Sequence, residues 1–94
     1  MKIIALEKEL PGNKSEDFKP FLKKETEEVI KLYEEGIIRE IHFRSDRDEA
    51  VLILECDDLE SAKIQLKRLP LVKNGLIEFE LIPLKPYPGF SRLI

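Results

Sequence analysis

Two short runs, Ile3 to Leu6 and Ala50 to Leu54, are apolar at every position, so a strand through either one leaves both of its faces in need of cover. Only two other segments carry helical periodicity, enough to cover one face of a small sheet. The opposite face needs a second sheet, which a chain of 94 residues cannot spare. The simplest closed arrangement is a homodimer of α+β subunits packed sheet to sheet, in which one apolar patch meets its own copy.

The length suits a single domain spanning residues 1–94, with a proline-rich tail over 83–94. A chain 43% hydrophobic with a net charge of only -3 has the means to bury a core, which argues against disorder. Lysine and arginine alternate with glutamate and aspartate along the helical segments, so no basic stripe forms for a polyanion. Nucleic acid is therefore not an expected partner. One cysteine, Cys56, excludes an internal disulfide and reads as a small apolar residue at a strand end. Glu7 cuts the first apolar run too short for a signal peptide or a membrane span, and a cytoplasmic protein without membrane contact is expected.

Six elements follow from the patterning. Lys2 to Glu7 reads as a strand stopped by Pro11-Gly12-Asn13. Ser15 or Asp17 can cap a helix from about Phe18 to Glu35, with Pro20 in its first turn, Gly36 as its left-handed stop and an apolar stripe of Phe18, Phe21, Leu22, Val29, Leu32 and Tyr33. A strand from Ile37 to Arg44 places Ile37, Ile41 and Phe43 on one face and Ile38, Glu40, His42 and Arg44 on the other. The polar turn Ser45 to Glu49 joins it to the strand Ala50 to Cys56. Asp57 and Asp58 head a second helix with Leu59, Ala62, Leu66 and Leu69 at helical spacing, which Pro70 ends. After Lys73-Asn74-Gly75 comes a last strand, Leu76 to Ile82, in which Ile77, Phe79 and Leu81 alternate with Glu78 and Glu80. The order βαββαβ predicts a ferredoxin-like α+β fold, a four-stranded antiparallel sheet with two helices on one face, dimerising into an α+β barrel. Its central strands are the first and third, the two that are apolar on both sides.

Chemistry concentrates where charges interrupt apolar surfaces. Glu25 and Thr26 stand in the stripe of the first helix, and Arg39 stands in the strand face that this helix should cover, so Glu25 and Arg39 are expected to meet. Two readings stay open: a structural ion pair, or a small pocket in which Arg39 grips a carboxylate-bearing substrate and Glu25 moves a proton. His42, on the opposite strand face, and Tyr33 and Arg44 are further candidates to line such a site. No second histidine or cysteine pair supports a metal, no phosphate loop or nucleophile motif is present, and no cofactor is expected.

Gly36-Ile37-Ile38-Arg39-Glu40-Ile41-His42-Phe43-Arg44, then Leu69-Pro70-Leu71, then Glu78 and Glu80 before a proline-containing tail, resembles the muconolactone isomerase family, and Glu25 is similar to a helix carboxylate of that family. Ile38 and His42 replace the aromatic residues that flank the arginine there. The resemblance implies a ferredoxin-like dimeric barrel, in a homodimer or higher oligomer, and a pocket that shifts a proton within a small carboxylate-bearing molecule. On that reading Glu25, Arg39 and His42 are catalytic and Tyr33 and Arg44 bind the small-molecule anion. The alternative is a non-catalytic dimeric ligand-binding or assembly domain. An RNA-binding version of the fold would need stacking aromatics on its central strands, and neither apolar run has one.

Overall fold

The computed structural model describes residues 1–94. Its strands are β1 (Lys2–Glu9), β2 (Ile38–Phe43), β3 (Ala50–Glu55) and β4 (Ile77–Pro83), and they form one antiparallel sheet in the order β2-β3-β1-β4. The doubly apolar strands β1 and β3 sit in the centre, as their composition demands, with Ala5 opposite Leu52 on one side and Leu81 on the other. This is the ferredoxin-like α+β fold. The helices α2 (Leu22–Glu34) and α3 (Leu59–Leu66) cover one face and bury Ile3, Ala5, Leu52 and Leu54 beneath Leu32, Ala62 and Leu66.

Local chemistry sets the element ends. Gly36, at φ +79°, closes α2 with a double backbone clasp in which Gly36 N–H donates to Tyr33 O and Ile37 N–H to Leu32 O, both at 3.0 Å. Gly75 does the same after the short helix α4 (Pro70–Lys73), and Asp58 caps α3 by accepting Ser61 N–H at 2.7 Å.

Several expectations need correction. β1 runs on to Glu9. The first helix is broken: a short α1 (Ser15–Phe18) and a 3-10 turn over Lys19–Phe21 precede α2, because Pro20 has no amide to continue the ladder. Neither Ser15 nor Asp17 is the cap; Lys14 holds that position, and the Asp17 carboxylate reaches back to its amide at 2.7 Å. Leu22 and Tyr33 leave the buried stripe, being 48% and 55% exposed. Pro70 does not end the second helix, which stops at Leu66; it opens α4 instead, at the first-turn position that tolerates proline. The proline-rich tail ends in a 3-10 turn over Pro88–Leu93 in which Tyr87 and Phe90 stack edge to face. Tyr87, Phe90 and Leu93 are all exposed in the single chain.

The largest correction lies in β2. Ile38 pairs with Leu54 but Glu40 pairs with Ile53, so Arg39 is an extra residue in a β-bulge. The bulge resets the alternation. Ile38 turns inward and is 1% exposed, in phase with Ile41 and Phe43, while Glu40 and His42 take the open face.

Candidate functional site

Between α2 and the sheet lies a cavity of about 390 Å3 lined by Leu22, Glu25, Thr26 and Val29 of α2, Leu69 and Leu71, and the sheet residues Glu7, Ile41, Phe43, Ala50, Leu52 and Phe79. Leu22, Ile41 and Phe43, all more than 40% exposed, form its mouth. Nine of its twelve lining residues are hydrophobic, so its polar groups stand out against low-dielectric walls.

Those groups are two carboxylates and one hydroxyl. Thr26 is already engaged, its hydroxyl donating to Leu22 O within the helix at 3.1 Å. Glu25 Oε1 accepts the amide of Leu71 at 2.9 Å, and Glu7 Oε1 accepts the amide of Ala50 at 3.2 Å. The second oxygen of each carboxylate has no protein donor. Burial pushes the Glu25 carboxyl above its ordinary value, against the opposing pull of the Leu71 amide. Burial also raises Glu7, and the charges of Glu49, Glu9 and Glu25 push it further the same way. A carboxyl held upward by desolvation in an apolar cavity is poised for proton transfer.

Of the five residues singled out in the sequence, only Glu25 lines this cavity. Glu25 and Arg39 do not meet, because the bulge carries Arg39 outward, where its Nε donates to Gly36 O at 2.7 Å. His42 Nε2 lies 3.1 Å from Glu40 Oε1 on the open sheet face. Tyr33 is on the outer side of α2. Arg44 grips Asp46 with two hydrogen bonds of 2.9 and 2.7 Å in the β2–β3 turn and faces a separate polar crevice. No arginine, lysine or histidine lines the cavity, so the expected anion clamp has no counterpart there. No group of three or more histidine, cysteine, aspartate or glutamate side chains is placed to hold a metal ion.

Glu7 is the residue that sequence reasoning missed. The signal was present: Ile3, Ala5 and Glu7 share one strand face, so a carboxylate was due beneath the helices. A strand ending at Glu7 leaves this carboxylate at a terminus, whereas β1 runs two residues further, to Glu9, and carries it under α2.

No helix is long and apolar enough to cross a membrane. Neither a protein-family model nor a curated protein matches the sequence. Among solved structures the chain is similar to 5-chloro-2-hydroxyhydroquinone dehydrochlorinase (TftG) from Burkholderia phenoliruptrix AC1100, in complex with 2,5-dihydroxybenzoquinone. The TM-score is 0.64 with 16% sequence identity, over 93% of this chain and 96% of that one. What the two share at that identity is the ferredoxin-like α+β fold over nearly their whole lengths.

Proposed function

We propose that the cavity binds a small, largely apolar organic molecule of about the size of one substituted ring, and that Glu25 moves a proton on it in an isomerase- or lyase-type reaction. The observation that carries this reading is the free oxygen of Glu25 in an apolar cavity, with the other oxygen pinned by the Leu71 amide and the carboxyl raised by burial. Pinning fixes the carboxylate's orientation, and desolvation strengthens it as a base. The dehydrochlorinase of similar fold, complexed with a ring compound, supports the size class.

The test uses a ketone as probe. Exchange of the C–H protons of cyclohexanone for deuterium, followed by NMR in heavy water, reports a general base within reach of a bound ring. The wild-type chain should accelerate exchange by at least about tenfold over Glu25→Gln, at the modest end of general-base effects. Equal rates would end the proton-transfer reading.

A second reading, a non-catalytic ligand-binding domain, draws on the same hydrogen bond, because Glu25 also ties α4 to α2. It predicts that Glu25→Gln leaves both ligand binding and the background exchange rate unaltered.

The functional unit in this proposal is a homodimer formed through the open sheet face. Ile4, Leu6, Val51 and Ile53 alternate with the buried residues of β1 and β3 and present an apolar centre, with Glu40, His42 and Glu80 around it. The chain exposes 6805 Å2, roughly a fifth more than the about 5,600 Å2 of a compact monomer of 11.0 kDa. A twofold contact between two such faces would remove much of that surplus.

A further inference from the structure

We infer that the ligand of this cavity carries a positive charge: a small organic ammonium with an apolar body. The inference rests on the cavity being a ligand site, as proposed above, and adds the class of molecule it takes.

Glu7 and Glu25 stand on opposite walls, one on the central strand β1 and the other on α2. Each has one oxygen held by a backbone amide and one without a protein donor. No cationic side chain shares the space with them. Partly buried carboxylates without a countercharge are costly, and such groups are ordinarily paired. The cations of the adjoining polar crevice are spoken for: Lys8 lies 3.1 Å from Glu80, Arg44 is bound to Asp46, and Arg47 lies 3.9 Å from Asp46 and 3.4 Å from Glu49. All three line the polar crevice beyond Glu7 and none lines the cavity.

An ammonium group supplies what the site lacks. It brings hydrogen-bond donors to two acceptor-only oxygens and a countercharge to both carboxylates, while its hydrocarbon body meets Val29, Leu52, Leu69 and Phe79. A carboxylate-bearing ligand would add a third negative charge in low dielectric.

Three ring compounds of one size and different charge provide the test: benzylammonium, benzyl alcohol and benzoate, each titrated into the intact chain near neutral pH and followed by NMR shifts of the cavity residues. Benzylammonium should bind at least about tenfold more tightly than benzyl alcohol, with benzoate weakest, and added salt should shrink the ammonium's advantage. Glu7→Gln should abolish the preference while benzyl alcohol still binds. If that variant fails to fold, the salt dependence in the wild-type chain decides alone. Benzyl alcohol or benzoate binding as tightly as the amine would overturn the charge class and leave the cavity reading standing. No binding by any of the three at millimolar concentration would remove both.

Discussion

The amide of Leu71 donates to Oε1 of Glu25 across 2.9 Å, so the carboxylate that faces the cavity also fastens the short helix α4 to the long helix α2. Leu71 is 7% exposed and belongs to the smaller apolar cluster with Leu76 and Ile77. Site and scaffold therefore share one hydrogen bond, and the placement of the base depends on the packing of α4.

Truncation and isosteric replacement of Glu25 should then differ. Glu25→Ala strands the Leu71 amide and should cost about 1 to 3 kcal/mol, whereas Glu25→Gln keeps an oxygen acceptor in place and should cost far less. Urea titration of both variants measures the contrast. Equal losses would mean that the hydrogen bond contributes nothing and that only the side chain's packing matters.

The buried carboxyls also impose a sign on the pH dependence. Glu7 and Glu25 are raised in the folded chain, chiefly by desolvation. The folded state keeps their protons where the unfolded chain has released them, so their contribution to stability is fully present below the unfolded glutamate value and is lost as pH rises through the folded values. Glu35 and Asp58, lowered by hydrogen bonds from Arg68 and from the Ser61 amide, act in the opposite sense, and their contribution is lost as pH falls. Glu7→Gln and Glu25→Gln delete only the first effect. Each variant should gain stability relative to the parent as pH rises from about 4 to about 7. Urea midpoints that shift in parallel with the parent across that range would contradict the raised carboxyls.

The sheet order was legible because Ile3 to Leu6 and Ala50 to Leu54 are apolar at every position, and only central strands bury both faces. Glycine marked the helix ends for the same kind of reason, since positive φ at Gly36 and Gly75 excludes most other residues. The site was legible only in part. Glu25 stood out by breaking an apolar stripe, but its partner was misassigned, because nothing in Gly36-Ile37-Ile38-Arg39-Glu40 announces a bulge, and one inserted residue swaps the faces of everything before it. The broken first helix was harder still: Pro20 is tolerated in a first turn, and it becomes a joint only because helical structure already begins at Ser15, which puts its missing amide inside the ladder.

The bulge yields its own prediction. Ile38, 1% exposed, should cost about 2 to 5 kcal/mol on replacement by alanine, while Arg39→Ala should stay within about 0.5 kcal/mol. Chemical denaturation of the two variants checks it, and the reverse order would restore the unbulged register.

The second helix separates core from surface in the same way. Leu66 is 4% exposed and packs in the main cluster, so Leu66→Ala should cost about 2 to 5 kcal/mol, while the exposed Lys67→Ala should be nearly neutral. Equal midpoints in urea would show that α3 is rotated from the phase described.

The open face gives the last prediction. Ile53 lies on β3 directly opposite Ile4 of β1 and Glu40 of β2, at the middle of the sheet face that no helix covers. In a sheet-to-sheet dimer the twofold brings this centre against its own copy, so a lysine there would set two ammonium groups in an apolar contact without partners. In a lone subunit the same lysine would extend into water at little cost. Light scattering on dilute wild-type chain should give twice the subunit mass, and Ile53→Lys should give a folded species of one subunit mass, with circular dichroism reporting that the fold persists. A wild-type chain that stays monomeric and well folded at high concentration would remove the dimer, and with it the explanation for two strands apolar on both sides.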